Sequence, residues 1–156
     1  MKKIGEYTAR GVVPGSNAGA GTPIELTLFD GRFDTGYVVK EFKIWSTDYN
    51  SDSSADCIGK LSKSGSSTIA ASNFFRADDA NEIGWATSEG ASQSGNDAGF
   101  GDAILDPNNL VIEDLYVYAR SATSDAINYM ITLEKYTFSE WRGALAMAVD
   151  AADGEL

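Results

Sequence analysis

Ile127-Asn128-Tyr129-Met130-Ile131-Thr132-Leu133-Glu134 is the stretch whose reading decides the fold. Ile127, Tyr129, Ile131 and Leu133 alternate with Asn128, Met130, Thr132 and Glu134. Successive side chains of a strand point to opposite faces, so this period of two predicts a β-strand with one face in a core. Moving towards the N-terminus, Leu110–Arg120 is a run rich in Leu, Val, Ile and Tyr and reads as another strand, entered from a turn at Asp106-Pro107-Asn108-Asn109. Glu82–Thr87 alternates through Ile83, Trp85 and Thr87, and Cys57–Lys63 reads as a short strand. Gly36–Ser46 is apolar on both faces, with Phe42 and Ile44 on one side and Val39 and Trp45 on the other. In Pro23–Phe29, Ile24, Leu26 and Leu28 alternate with Glu25 and Thr27. Ile4–Val13 is the first strand, with Tyr7, Ala9, Gly11 and Val13 on one face. Asp48–Asp56 and Ser88–Asp102 are polar and read as loops, while Thr68–Phe75 carries no decisive pattern.

Past Leu133 the period changes. Thr137 and Glu140 have the spacing of a capping box, and Trp141, Leu145 and Val149 fall one turn apart on a single stripe before Gly154. This predicts a helix over 137–152. Many short strands, no βαβ alternation and one terminal helix predict a mainly β fold, an antiparallel β-sandwich of jelly-roll-like form with a C-terminal α-helix. The Gly-rich break Pro14–Gly21 divides the chain into an N-terminal strand or arm with its tether (1–21) and the sandwich domain (22–156).

The 156 residues fit one domain and include no histidine. A Ser-His-Asp triad, a Cys-His dyad or an imidazole metal site is therefore excluded within the chain. Twelve Lys and Arg stand against 23 Asp and Glu, a net charge of −11. Phosphate backbones and anionic membranes repel such a surface, so neither nucleic acid nor membrane is an expected partner. Cys57 is the lone cysteine, so no intrachain disulfide forms. Met1–Glu6 carries lysines without the apolar run of a secretory leader, and no apolar stretch approaches the ~20 residues of a membrane span.

Four constellations bear on chemistry. Asp34-Thr35-Gly36 has the triplet with which a dimeric aspartic protease would pair two carboxylates, but Arg32-Phe33 before it and Tyr37 after it depart from that pattern. Asp48, Asn50 and Asp52 have the alternate spacing of calcium ligands; Ser53 and Gly59 replace the Gly and Glu of an EF-hand, which leaves only a looser calcium candidate. Asp78, Asp79 and Glu82, and separately Glu113 and Asp114, are carboxylate groups of the kind a glycosidase uses. Trp45, Trp85 and Tyr116 are candidates for a sugar-stacking platform, as in a carbohydrate-binding adhesin. No nucleotide-binding glycine motif is present, and no cofactor is expected.

Leu28–Tyr37, Asn81–Ala86, Asp106–Tyr118 and Ile127–Leu145 together resemble a family of small proteins encoded by tailed bacteriophages of aquatic habitats. The resemblance covers most of the chain from residue 24 onward. It implies a virion component, made in the host cytoplasm and located in the particle, and it brings no catalytic residues. Joined to the acidic charge and the tethered first strand, it predicts a non-enzymatic capsid decoration or cement protein. Such a protein assembles with copies of itself and with the major capsid protein. Contacts are then expected from Ile4, Tyr7, Val12 and Val13 of the arm and from Trp141, Leu145 and Val149 of the helix.

Overall fold

The alternating segment at 127–134 lies at the heart of a computed structural model that describes residues 1–14, 22–47, 56–89, 102–121 and 125–139. Nine strands are present among them: β1 (Lys2–Val13), β2 (Ile24–Leu26), β3 (Thr35–Ser46), β4 (Cys57–Ser62), β5 (Glu82–Ser88), β6 (Ala103–Leu105), β7 (Leu110–Val111), β8 (Leu115–Ser121) and β9 (Ile127–Thr137). They form two antiparallel sheets, one ordered β1-β9-β3-β7 and the other β2-β8-β4-β5-β6. The mainly β expectation holds, and the sheets pack face to face as a sandwich. No α-helix occurs among the described residues; a single 3-10 turn lies at Ala71–Asn73. Thr137, expected to cap a helix, instead ends β9 opposite Lys2 and Thr35. The remainder of that helix, with Trp141, Leu145 and Val149, lies outside the described residues.

β9 is paired on both sides along its whole length, to β1 and to β3. Its inward row of Ile127, Tyr129, Ile131 and Leu133 is buried, as the alternation requires. Val39, Phe42 and Ile44 of β3 join that row, and Leu61, Ile83, Leu115, Val117 and Ala119 meet it from the opposite sheet. The two layers touch closely at Gly59, where a Cβ would stand 3.1 Å from Ile44 Cδ1 and 3.2 Å from the Tyr118 carbonyl oxygen.

The face assignment in β3 differs from strict alternation. The register slips between Val39 and Glu41, a β-bulge at Lys40. The extra residue turns Val39 to the same side as Phe42 and Ile44, so three apolar groups share the core and Trp45 alone of the named residues faces outward. On the other side of β3 the pairing strand β7 is only two residues long, and Asn109, just before it, continues the ladder with its side chain. Val39 N–H donates to Asn109 Oδ1 at 2.7 Å, and Asn109 Nδ2 donates to the Val39 carbonyl at 3.1 Å and the Asp106 carbonyl at 2.8 Å. This buried amide acts as one more rung of the ladder.

The apolar run Leu110–Arg120 is likewise two strands rather than one. Leu110-Val111 pairs with β3, and Leu115–Ser121 pairs with β2 and β4 in the other sheet, so Ile112–Asp114 crosses between layers. β6, at Ala103–Leu105, directly follows the segment read as a loop and itself carried no strand signal; three residues are too few for a period.

The outer face of the second sheet is covered by the segment between β4 and β5. Lys60 points to that face and is completely buried beneath it. Its Nζ donates to the Thr68 carbonyl at 2.5 Å, the Phe74 carbonyl at 2.6 Å and Glu82 Oε2 at 3.2 Å, which uses all three ammonium protons. It also lies 4.7 Å from the Phe74 ring centroid and 5.4 Å from that of Tyr118. Glu82, equally buried, accepts from Ser67 Oγ, Arg76 N–H and Trp85 Nε1. Burial pulls the Lys60 pKa down and the Glu82 charge opposes that shift. Tyr118 and Arg120 tie the same segment down through Ser64, Ser67 and Ile69.

Two outcomes follow. Asn109→Ala leaves the Val39 N–H and carbonyl buried without partners and lowers stability by about 1–3 kcal/mol, read from the urea midpoint. Lys60→Met costs about 3–5 kcal/mol because it strands the Glu82 carboxylate, and adding Glu82→Gln to it recovers part of the loss; a double variant weaker than Lys60→Met would contradict this account.

Candidate functional site

The free edge of the first sheet is β1. Eleven of its twelve residues pair on one side with β9, and among the described residues no strand occupies the other side. Ile4, Tyr7 and Val12 are 51%, 51% and 48% exposed, whereas Val13 is 2% exposed and belongs to the core. The residues named for contacts therefore divide: Ile4, Tyr7 and Val12 are available on the surface, and Val13 anchors the strand. The first strand is part of the sandwich, since it covers one side of β9 and contributes Val13 to the core cluster.

β1 is also the basic element of an acidic chain, carrying Lys2, Lys3 and Arg10 against Glu6. Lys3 Nζ donates to Glu6 Oε2 at 2.9 Å and to Glu134 Oε1 at 2.8 Å. Those contacts raise the Lys3 pKa, and Lys3, with Tyr136, holds the Glu134 carboxyl below its ordinary range. A β-bulge between Lys3 and Gly5 marks this end of the strand. From Gly5 to Val13 the register is regular, and Tyr7 meets Tyr37 edge-on with ring centroids 6.1 Å apart. Among the described residues no carboxylate pairs with Arg10.

The other candidates are placed apart from one another. Trp45 is on the outer face of the first sheet, whereas Trp85 and Tyr116 are on the outer face of the second, so the three do not form one platform. Asp78 is paired with Arg76, Asp79 accepts from the Asn81 N–H, and Glu82 is sealed under Lys60. Glu113 and Asp114 lie in the crossing between sheets, where Asp114 Oδ1 is a buried oxygen without a hydrogen-bond donor. Asp48, Asn50 and Asp52 lie outside the described residues, among which no cluster of three metal-ligating side chains occurs.

Asp34 is clamped by its neighbour. Arg32 Nε and Nη2 donate to its two carboxylate oxygens at 2.8 and 2.6 Å and hold its pKa below the usual range. An aspartic dyad instead shares a proton between two carboxyls, which a guanidinium on one of them opposes. Asp30 completes this latch. It accepts from the Arg32 N–H, from Thr35 Oγ1 and from Lys135 Nζ at 2.9 Å, and Gly31 takes the left-handed φ of 83° that the turn needs.

A cavity of about 380 Å³ opens at the end of β4, β5 and β8, lined by Cys57, Ser88 and Ser121 with Asp56, Glu89 and Arg120. Burial pushes the Cys57 thiol up to about 11, and Lys60 projects from the opposite face of β4, so this thiol has little nucleophilic character near neutral pH. No protein-family model matches the chain, and no curated protein matches it.

The Asp30 latch sets an acid response. Its carboxyl is lowered from 3.8 to about 2, first by Lys135, so its contribution to stability is full above pH 3.8 and is lost as pH falls through 2. Asp30→Asn is expected to be less stable at neutral pH and to lose less on acidification than the parent, as followed by thermal melts between pH 7 and pH 2; parallel curves would show that the latch contributes nothing.

Proposed function

We propose that this protein is a non-enzymatic building block that works by self-association, and that its place is on the outside of a virion as a capsid decoration or cement protein. The observation that carries the reading is β1, a long edge strand with exposed Ile4, Tyr7 and Val12, whose outer row of backbone donors and acceptors meets no strand among the described residues. Such an edge is a template for another chain, by addition of a strand to the sheet. The net charge of −11 supports an outward position, since a surface of that sign is poorly suited to lining a compartment filled with DNA. The likeness of Leu28–Tyr37 and the later blocks to tailed-phage proteins supports the same placement. In this role the partners are further copies of the chain and the major capsid protein.

The test is quantitative mass spectrometry of purified particles. The protein is expected at a fixed, high copy number relative to the main shell subunit, and to be removed by treatments that strip outer proteins while the shell stays closed. Its presence in the lysate but not in particles would end this assignment.

A further inference from the structure

We infer that two copies of the chain join through β1 in antiparallel register, with Thr8 on the two-fold axis. This rests on the self-association reading above and specifies its contact. Along a regular strand, successive residues aim their backbone groups alternately towards β9 and away from it. Two β1 edges can therefore meet only when the axis passes through a residue, because an axis between residues would set an outward-aimed N–H against a residue turned the other way.

The side chains select which residue. With Thr8 on the axis, Glu6 of each copy faces Arg10 of the other, twice by symmetry, and both lie on the outer face of the sheet. Tyr7 then faces Ala9, Gly5 faces Gly11, and the exposed Ile4 at the bulge comes to the neighbourhood of Val12. Moving the axis to Glu6 places Glu6 on Glu6 and Lys2 on Arg10, which repel. Moving it to Tyr7 or Ala9 leaves both charges facing uncharged or aliphatic groups, or Ile4 facing Arg10. The arrangement occupies Arg10, for which the described residues offer no carboxylate, and it engages the exposed Glu6. The two first sheets become one continuous sheet, four strands from each copy. The partner is thus a second copy, chosen by charge complementarity within the strand itself.

The full-length protein tests this by cysteine cross-linking and sedimentation equilibrium. Cys57 is buried with its thiol pushed up to about 11, so an introduced thiol is the reactive one. Residues facing each other across an antiparallel pair are close enough for a disulfide. Thr8→Cys is expected to give a covalent dimer under mild oxidation. Glu6→Cys is not, because its two copies stand about 14 Å apart along the strands. Glu6→Arg and Arg10→Glu should each weaken the dimer by about tenfold or more, and the double exchange should restore it. Circular dichroism and melting temperature verify that each variant is folded. A parent that stays monomeric at millimolar concentration, equal cross-linking at both positions, or a double exchange as weak as the single variants would each overturn the register. Particles that carry the protein while these variants behave like the parent would remove this contact and leave the virion assignment standing; a verified contact in a protein missing from particles would do the reverse.

Discussion

A strand inside a sheet has two rows of backbone groups, and both need partners once water is excluded. β9 is the strand on which this requirement falls hardest, because its inward row is buried from Ile127 to Leu133. β1 and β3 meet the requirement from either side, and everything else in the first sheet follows from that pairing. Among the described residues the sheet ends beside β9 at β1. Natural edges are blunted by lysines, bulges or short length. Here Lys2, Lys3 and the bulge beside Gly5 are gathered at one end, while Gly5–Val13 stays straight, regular and partly apolar. The protection is local, and among the described residues no strand lies along the remainder of the edge.

The second sheet manages its outer surface in a different way. A buried ammonium and a buried carboxylate are costly to desolvate, and each is stable only with its hydrogen bonds complete. Lys60 and Glu82 meet that condition by drawing in carbonyls of Thr68 and Phe74, the hydroxyl of Ser67, the N–H of Arg76 and the indole of Trp85. The connection between β4 and β5 becomes a third layer held by a charged pin rather than by a large apolar face. Trp85 and Glu82 are thereby part of what holds that layer in place.

Much of the strand content was legible from local pattern, because burial on one face leaves a period of two in β9 and β2; in β5, read as alternating through Ile83, Trp85 and Thr87, a register shift at Ile83 puts that residue in the core and leaves Trp85 and Thr87 on the outer face. The misreadings share a cause. Leu110–Arg120 has continuous apolar character whether it stays in one sheet or crosses between two, and only the pairing partners tell the cases apart. Val39 appeared to face away from Phe42 because a bulge is invisible to a counting rule. The burial of Lys60 had no local signal, because its acceptors come from Thr68, Phe74 and Glu82, distant in sequence. The candidate surface was half visible: Ile4, Tyr7 and Val12 could be named from the N-terminal strand, but Val13 proved to be core.

By itself, then, the order of residues determined that the protein is a β-protein, acidic, without imidazole chemistry, and with a first strand able to pair. Those properties are sums over composition or repeats of two, and neighbours along the chain suffice to express them. Only the tertiary structure decided which strand is central and which is the edge, which lysine is buried, and that Lys135 latches Asp30. These are properties of contacts between distant segments: a backbone row is free or paired, and a charge is solvated or pinned, according to what the rest of the chain places beside it.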